Sequence, residues 1–156
     1  MSFVSSNGTR GAKQPGSGLL PRLVNRIVSA RIRKGAKLLG NSDGLILTTI
    51  GRKTGVLRST PVNYFPGPQD SWLIVASAAG APKNPSWYYN IAASPDMVQV
   101  ELAGRTIAVH AEQLRGAERA AAWQMISQAN SRFAKYAEKT DREFPIIRLT
   151  ERSVTS

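Results

Sequence analysis

The sequence contains no cysteine, which excludes disulfides, thiolate metal centres, iron–sulfur clusters and cysteine nucleophiles together. It has a single histidine, His110, so neither a histidine-rich zinc site nor a histidine-based triad is expected. No apolar run approaches the ~18 residues of a spanning helix, so the chain does not read as an integral membrane protein. No charged start is followed by an apolar core, so no secretory signal is expected and the default compartment is the cytoplasm. Acids are scarce as well: 10 Asp and Glu stand against 21 Lys and Arg, a formal net charge of +11. An anionic partner follows, whether a phosphorylated or carboxylated ligand, nucleic acid or an acidic membrane face. What remains is a 156-residue chain, 42% hydrophobic, enough for one domain with a packed core.

The charge is unevenly placed. Residues 1–40 hold eight cations and no acid, while the other 116 residues hold thirteen cations and ten acids. Residues 1–18 are rich in Ser and Gly and read as a disordered lead-in. Over 19–40, Leu20, Leu23, Val24, Ile27 and Val28 recur at helical spacing while Arg22, Arg26 and Arg33 fall mostly elsewhere. This predicts a basic amphipathic helix, either packed on the domain or lying on anionic lipid. The folded domain is expected over 41–156.

From Asn41 the signals are mainly those of strands. Leu45–Ile50, Leu57–Phe65 and Trp72–Ala76 are short β-rich runs separated by Gly, Pro and Asp. Val98, Val100 and Leu102 alternate with polar residues, Ala103-Gly104 turns the chain, and Ile107 and Val109 continue at period two, a hairpin signal. Phe144–Leu149 is a last strand. Ser86–Ala93, capped by Ser86, and one long segment from Gly116 to about Lys139 read as helices. The fold class expected is mainly β with helices (α+β), a small antiparallel barrel.

The side chains offer no self-contained catalytic machine. There is no Gly-x-Ser-x-Gly sequence, and Asp141 and Glu143 beside Arg142 read as ordinary salt-bridge partners. His110 falls out of phase with Ile107 and Val109 and reads as solvated or singly hydrogen-bonded. A bound cofactor is therefore the expected carrier of any chemistry. Nucleic acid is not the expected partner, because the cations are split between a helix and a turn with no aromatic strand platform.

Two constellations suit an anion. Gly51-Arg52-Lys53-Thr54-Gly55 with Arg58 puts three cations within seven residues, and its glycines let backbone N–H groups approach a ligand. Ala76-Ser77-Ala78-Ala79-Gly80-Ala81-Pro82-Lys83-Asn84-Pro85-Ser86-Trp87-Tyr88 ends a strand in small residues, against which a flat ring can lie, before a helix start.

These segments, with Arg58-Ser59-Thr60-Pro61 and Thr140-Asp141-Arg142-Glu143-Phe144-Pro145, resemble in the same order the deazaflavin-dependent nitroreductase family of actinobacteria, including its F420H2-dependent quinone reductases. The resemblance runs from about Asp43 to Arg152. It implies a split β-barrel related to the flavin-reductase and pyridoxamine-phosphate-oxidase barrels, with coenzyme F420 in a groove. It implies hydride transfer from the reduced coenzyme to a quinone, a nitroaromatic or an activated enone. Carried over by motif, Arg52, Lys53, Thr54 and Arg58 hold the phosphate and acidic tail. Pro61, Val75, Ala76, Ser77 and Gly80 line the deazaflavin, Lys83, Asn84 and Trp87 complete the groove, and Tyr64 and Tyr136 lie near the acceptor. Many relatives carry lysine after the serine, where this chain has Ala78. The alternatives are the same barrel with FMN, or a non-catalytic F420 carrier. A peripheral position on the inner face of the membrane, through residues 20–39, would bring the site to lipid-dissolved quinones.

Overall fold

Alternation along the strands decides which residues form the barrel's interior. In β1 (Gly44–Ile50), Leu45 and Leu47 join the inner cluster, while Ile46 between them is fully buried on the opposite face. The structure, a computed structural model, describes residues 3–13, Arg26, Ile27, Ala30 and 43–152. Within these, β2 (Leu57–Asn63), β3 (Phe65–Pro66), β4 (Trp72–Val75), β5 (Val98–Leu102), β6 (Arg105–Gln113) and β7 (Ile146–Glu151) complete one antiparallel sheet. Its order is β2-β1-β5-β6-β7-β4-β3, curled into a half-barrel of the split-barrel type. The fold class is α+β, as expected.

Local chemistry fixes the turns. Ala103 and Gly104 both adopt positive φ, 51° and 74°, the pairing a two-residue hairpin needs to match the twist of β5 and β6. Two apolar layers result. Leu45, Leu47, Ile74, Val98, Val100, Ile107, Val109, Ile147 and Leu149 fill the interior, closed by Tyr88 and Ile91 of α1 (Ser86–Ala93). Leu73, Val75 and Ile146 point the other way, beneath Ala122 and Ile126 of α2 (Gly116–Ala129) and Phe133 of α3 (Ser131–Lys139).

Three local expectations are corrected. The long helix breaks at Asn130, whose φ of −144° ends α2 and whose side chain accepts from the Arg132 N–H to start α3. The N-cap of α1 is Pro85 with no side-chain cap bond, so Ser86 lies inside the helix. The run Leu57–Phe65 is divided at Tyr64 into β2 and β3; the Tyr64 N–H donates to the Asp43 carbonyl at 3.1 Å, one step beyond the Gly44–Asn63 pair, and Phe65 then turns to pair with Leu73 of β4.

The helix expected over 19–40 lies outside the described residues except for Arg26, Ile27 and Ala30, which are exposed; the first two and Ala30 are helical. Residues 3–13, read from sequence as part of a structureless lead-in, make tertiary contacts. The Gly8 and Ala12 N–H groups donate to the carbonyls of Pro82 and Gly80 at 2.7 and 3.0 Å. Val4 and the Gln113 side chain exchange two bonds, and Phe3 meets the Tyr88 ring edge-on. Among the described residues no helix is long and apolar enough to cross a membrane.

Candidate active site

Two turns flank α1, which at eight residues is roughly 12 Å long. The first follows β1. The Gly55 N–H closes onto the Gly51 carbonyl at 2.8 Å, and Thr54 Oγ1 accepts from the Val56 N–H at 3.2 Å. Arg52 is aimed from the helix: its backbone N–H and Nη1 both donate to Asn90 Oδ1, at 3.1 and 3.3 Å. Its guanidinium lies 5.0 Å from the centre of the Tyr89 ring. Asn90, itself buried, donates from Nδ2 to Thr49 Oγ1 at 3.1 Å. Arg58 stands opposite Thr49 in the ladder, so both side chains leave the same face of the hairpin. Arg52, Lys53, Thr54 and Arg58 are all exposed, and no acid occurs between Asp43 and Asp70.

The second turn runs from Ala76 to Pro85 and is built differently. Ala78, Ala79 and Gly80 hold φ of 46°, 55° and 83°, two of them non-glycine residues in the left-handed region. Such residues cost on the order of 1 kcal/mol each and persist only where the surroundings force them. Arg142 bonds to both ends of this segment. It is 5% exposed, and its Nε donates to the Ala81 carbonyl at 3.1 Å, Nη1 to Ala76 at 2.8 Å and Nη2 to Ser77 at 2.7 Å. Nη1 also donates to Asn84 Oδ1. Burial pulls the guanidinium pKa below its ordinary value, yet an arginine still stays charged.

The other side of this loop meets α3 and the N-terminal strap. A Cβ on Gly80 would lie 2.7 Å from the Tyr136 carbonyl oxygen, so nothing larger than glycine fits. A Cβ on Gly11 would lie 2.5 Å from the Gly80 carbonyl oxygen, so the strap too depends on a bare backbone at its closest approach. Asn84 Nδ2 donates to Ser5 Oγ at 2.7 Å. Asp141, one residue before Arg142, accepts from the Thr9 N–H at 2.7 Å and from its hydroxyl. These bonds, the hydroxyl's first, hold the Asp141 carboxyl below the usual carboxylate range.

The sequence-identified residues therefore separate into groups. Arg52, Lys53, Thr54 and Arg58 gather at the first turn, as their spacing suggested. Ala76, Ser77, Gly80 and Asn84 gather around Arg142. Lys83 is exposed on the same loop, and Trp87 is half-buried against the interior cluster. Val75 points into the helical layer, and Pro61, opposite Ile46, leaves the sheet on the face away from Leu45 and Leu47. Tyr64 packs on the interior cluster, and Tyr136 packs on the helical one beside Phe133. Desolvation, helped by Asp43, raises the Tyr64 pKa, so its phenol keeps its proton at neutral pH.

Sequence reasoning missed Asn90, the strap and above all Arg142. The salt-bridge reading holds for Glu143, which pairs with Arg119 at 2.9 Å, and is corrected for Asp141, which holds the strap; the Arg142 guanidinium bonds only to carbonyl-type oxygens among the described residues. The available signal was the Thr140–Pro145 motif itself. A separate cavity of about 340 Å³ is lined by His110, Glu112 and Arg148 among others and includes none of the site residues. His110 is exposed there and bonds through Nδ1 to Asp96.

The fold alone defines a class, the small split-barrel proteins. HutZ, the heme storage protein of Vibrio cholerae, shares it at 13% identity and a TM-score of 0.52, over 83% of this chain and 91% of that one. The sequence narrows the class. The family description F420H(2)-dependent quinone reductase matches residues 22–151, and the chain belongs to that family, an oxidoreductase family. It is 35% identical over 123 residues to the F420H(2)-dependent quinone reductase of Mycobacterium tuberculosis strain H37Rv, covering 77% of this chain and 81% of that protein. A solved F420-H2 dependent reductase, FDR-A, is 33% identical with a TM-score of 0.61, over 69% of this chain and 93% of that one. Another solved relative, described as a domain-swapped dimer, is 30% identical with a TM-score of 0.63, over 84% and 96% of the two chains.

Proposed function

We propose that this chain is an F420H2-dependent quinone reductase. The observation that carries the reading is the pair of turns on one helix, a cationic one and a bare-backboned one, in a barrel that belongs to this family. The residues fit the coenzyme. The first turn offers Arg52, Lys53 and Arg58, and the N–H groups of Lys53 and Thr54 have no acceptor among the described residues. That donor set suits a phosphodiester and a glutamate tail. The second turn offers a flat ring the small residues Ala76, Ser77 and Gly80, with Pro61 and Val75 at its margins and Lys83, Asn84 and Trp87 completing the groove.

Reduced F420 supplies the hydride when bound. The protein's own work is to bind, orient and exclude water, since hydride transfer needs donor and acceptor carbons roughly 3–3.5 Å apart rather than a strong base. Asn90 fixes where Arg52 can reach, and so sets the register of the anionic tail. Tyr64 and Tyr136 face the acceptor in this reading. Tyr64, a phenol that carries its proton at neutral pH, is the side chain this reading assigns to give a proton to the reduced quinone. Nitroaromatics and activated enones are further acceptors of the same electron-poor kind. The reading places the chain in the cytoplasm, with residues 20–39 as a peripheral contact to the anionic inner face of the membrane.

Titration of the full chain with F420 and, separately, with FMN, followed by a quinone panel, tests this. Tight binding of F420 over FMN, with coenzyme reoxidation that depends on added quinone, is expected. FMN preference, or binding without acceptor-dependent reoxidation, would replace the proposal with a flavin enzyme or a carrier.

A further inference from the structure

We propose that Arg142 is a positioning residue for the coenzyme ring: its guanidinium fork holds Ala76–Asn84 in the strained left-handed shape that forms the ring's bed. This rests on the functional reading above. An arginine in an ordinary structural role would be paired with a carboxylate or half-exposed, since burying its charge is costly. Here the charge is 5% exposed and the four acceptors of the guanidinium among the described residues lie on one loop: the carbonyls of Ala76, Ser77 and Ala81, and Asn84 Oδ1. The planar fork, with donors in fixed directions, can hold carbonyls on both sides of a turn at once, which a lysine cannot.

What lies between those acceptors is the strained segment. Ala78 and Ala79 fall inside the span bounded by Ser77 and Ala81, with φ of 46° and 55°. Released from Arg142, two alanines would relax toward negative φ and carry the backbone with them. The chain's ring-binding surface, unlike its tail-binding turn, is thus made of backbone whose shape is imposed from 61 to 66 residues away in sequence. The guanidinium carbon lies over the buried Phe144 ring, 4.8 Å from its centre.

The test separates ring from tail. Two ligands are titrated against the full chain: F420, and the deazaflavin with its ribityl chain but no phosphate. Arg142→Lys is expected to weaken both by about tenfold, at temperatures far below melting. Arg52→Ala is expected to weaken F420 by about tenfold or more while changing the tail-less ligand by less than about twofold. In the ligand-free protein, hydrogen exchange at the Gly80 and Ala81 amides should speed up in Arg142→Lys, because their bonds to Ser77 and Ala78 depend on the loop's shape. Adding Ala79→Gly should restore part of the lost ring affinity, since glycine holds positive φ without strain. If Arg142→Lys does not fold, Asn84→Ala removes one acceptor and should speed exchange at the same Gly80 and Ala81 amides in the ligand-free protein, as well as weaken the tail-less ligand. A folded Arg142→Lys, or Asn84→Ala, that binds both ligands as the parent does overturns the inference while leaving the function intact. A parent chain that binds neither ligand overturns both.

Discussion

The two turns beside α1 have comparable lengths and opposite construction. The 51–58 turn is exposed and makes its offer with side chains, three cations and a threonine, tethered lightly through Asn90. The 76–85 turn is largely buried and makes its offer with backbone, clamped by Arg142 on one side and by α3 and residues 3–13 on the other. An anionic tail can be met by flexible charges that adjust to it. A flat ring needs a surface already in place, because hydride transfer tolerates little error in distance.

That difference explains what was legible in the sequence. Charge recognition is local: Gly51-Arg52-Lys53-Thr54-Gly55 and Arg58 announce themselves by composition and spacing, and the structure gathers them. The β5–β6 hairpin was equally legible, because period-two alternation and Ala103-Gly104 are local signals. Backbone shape imposed from afar is not local. Nothing near Ala78 and Ala79 says that both adopt positive φ, and Arg142 sits between two acids that invite a salt-bridge reading. The helix break at Asn130 was missed for a related reason: the apolar spacing runs through it, while the asparagine cap that ends one helix and starts the next interrupts only the backbone.

The comparison breaks hardest at Arg142. Arg142→Leu leaves the Ala76, Ser77 and Ala81 carbonyls and Asn84 Oδ1 without their donor. With unsatisfied buried acceptors costing about 1–3 kcal/mol each and not fully additive, a loss of at least about 3 kcal/mol is expected. For a chain of this size that is a melting-point drop of roughly 6–12 °C. Calorimetry that finds less than 2 °C would mean that water replaces the fork and that the clamp is not structural. The equivalent change in the other turn, Arg52→Ala, should leave the melting point nearly unchanged, because Arg52 is exposed.

The exposed turn breaks by charge instead. Arg52→Ala and Arg58→Ala should each weaken F420 binding by about 1.5–3 kcal/mol, typical of bonds to charged groups. Affinity in the parent should fall as salt rises, since exposed charges are screened over about 8 Å at physiological ionic strength. Dissociation constants unchanged in both variants, or flat with salt, would remove the tail from this turn.

The smallest effect sharpens the comparison on the buried side, where Asp141 holds the strap. Its carboxyl is held below the usual range by the Thr9 hydroxyl and then by the Thr9 and Arg10 N–H groups. A group whose folded pKa is depressed lends stability that is present above its unfolded value and lost as pH falls through the folded one. The contact should therefore be constant from neutral pH down to about 4 and loosen below that. Because Asp141 is exposed, the loss should be confined to residues 3–13 and leave the barrel folded. Hydrogen exchange at the Thr9 amide, followed against pH, reads it directly, and Asp141→Asn should show the loosened strap already at neutral pH. The Arg142 clamp carries no group that titrates in this range, so Gly80 and Ala81 should keep their protection while Thr9 loses its own. If the two sets loosened together on acidification, strap and clamp would be one cooperative unit rather than two supports for the same loop.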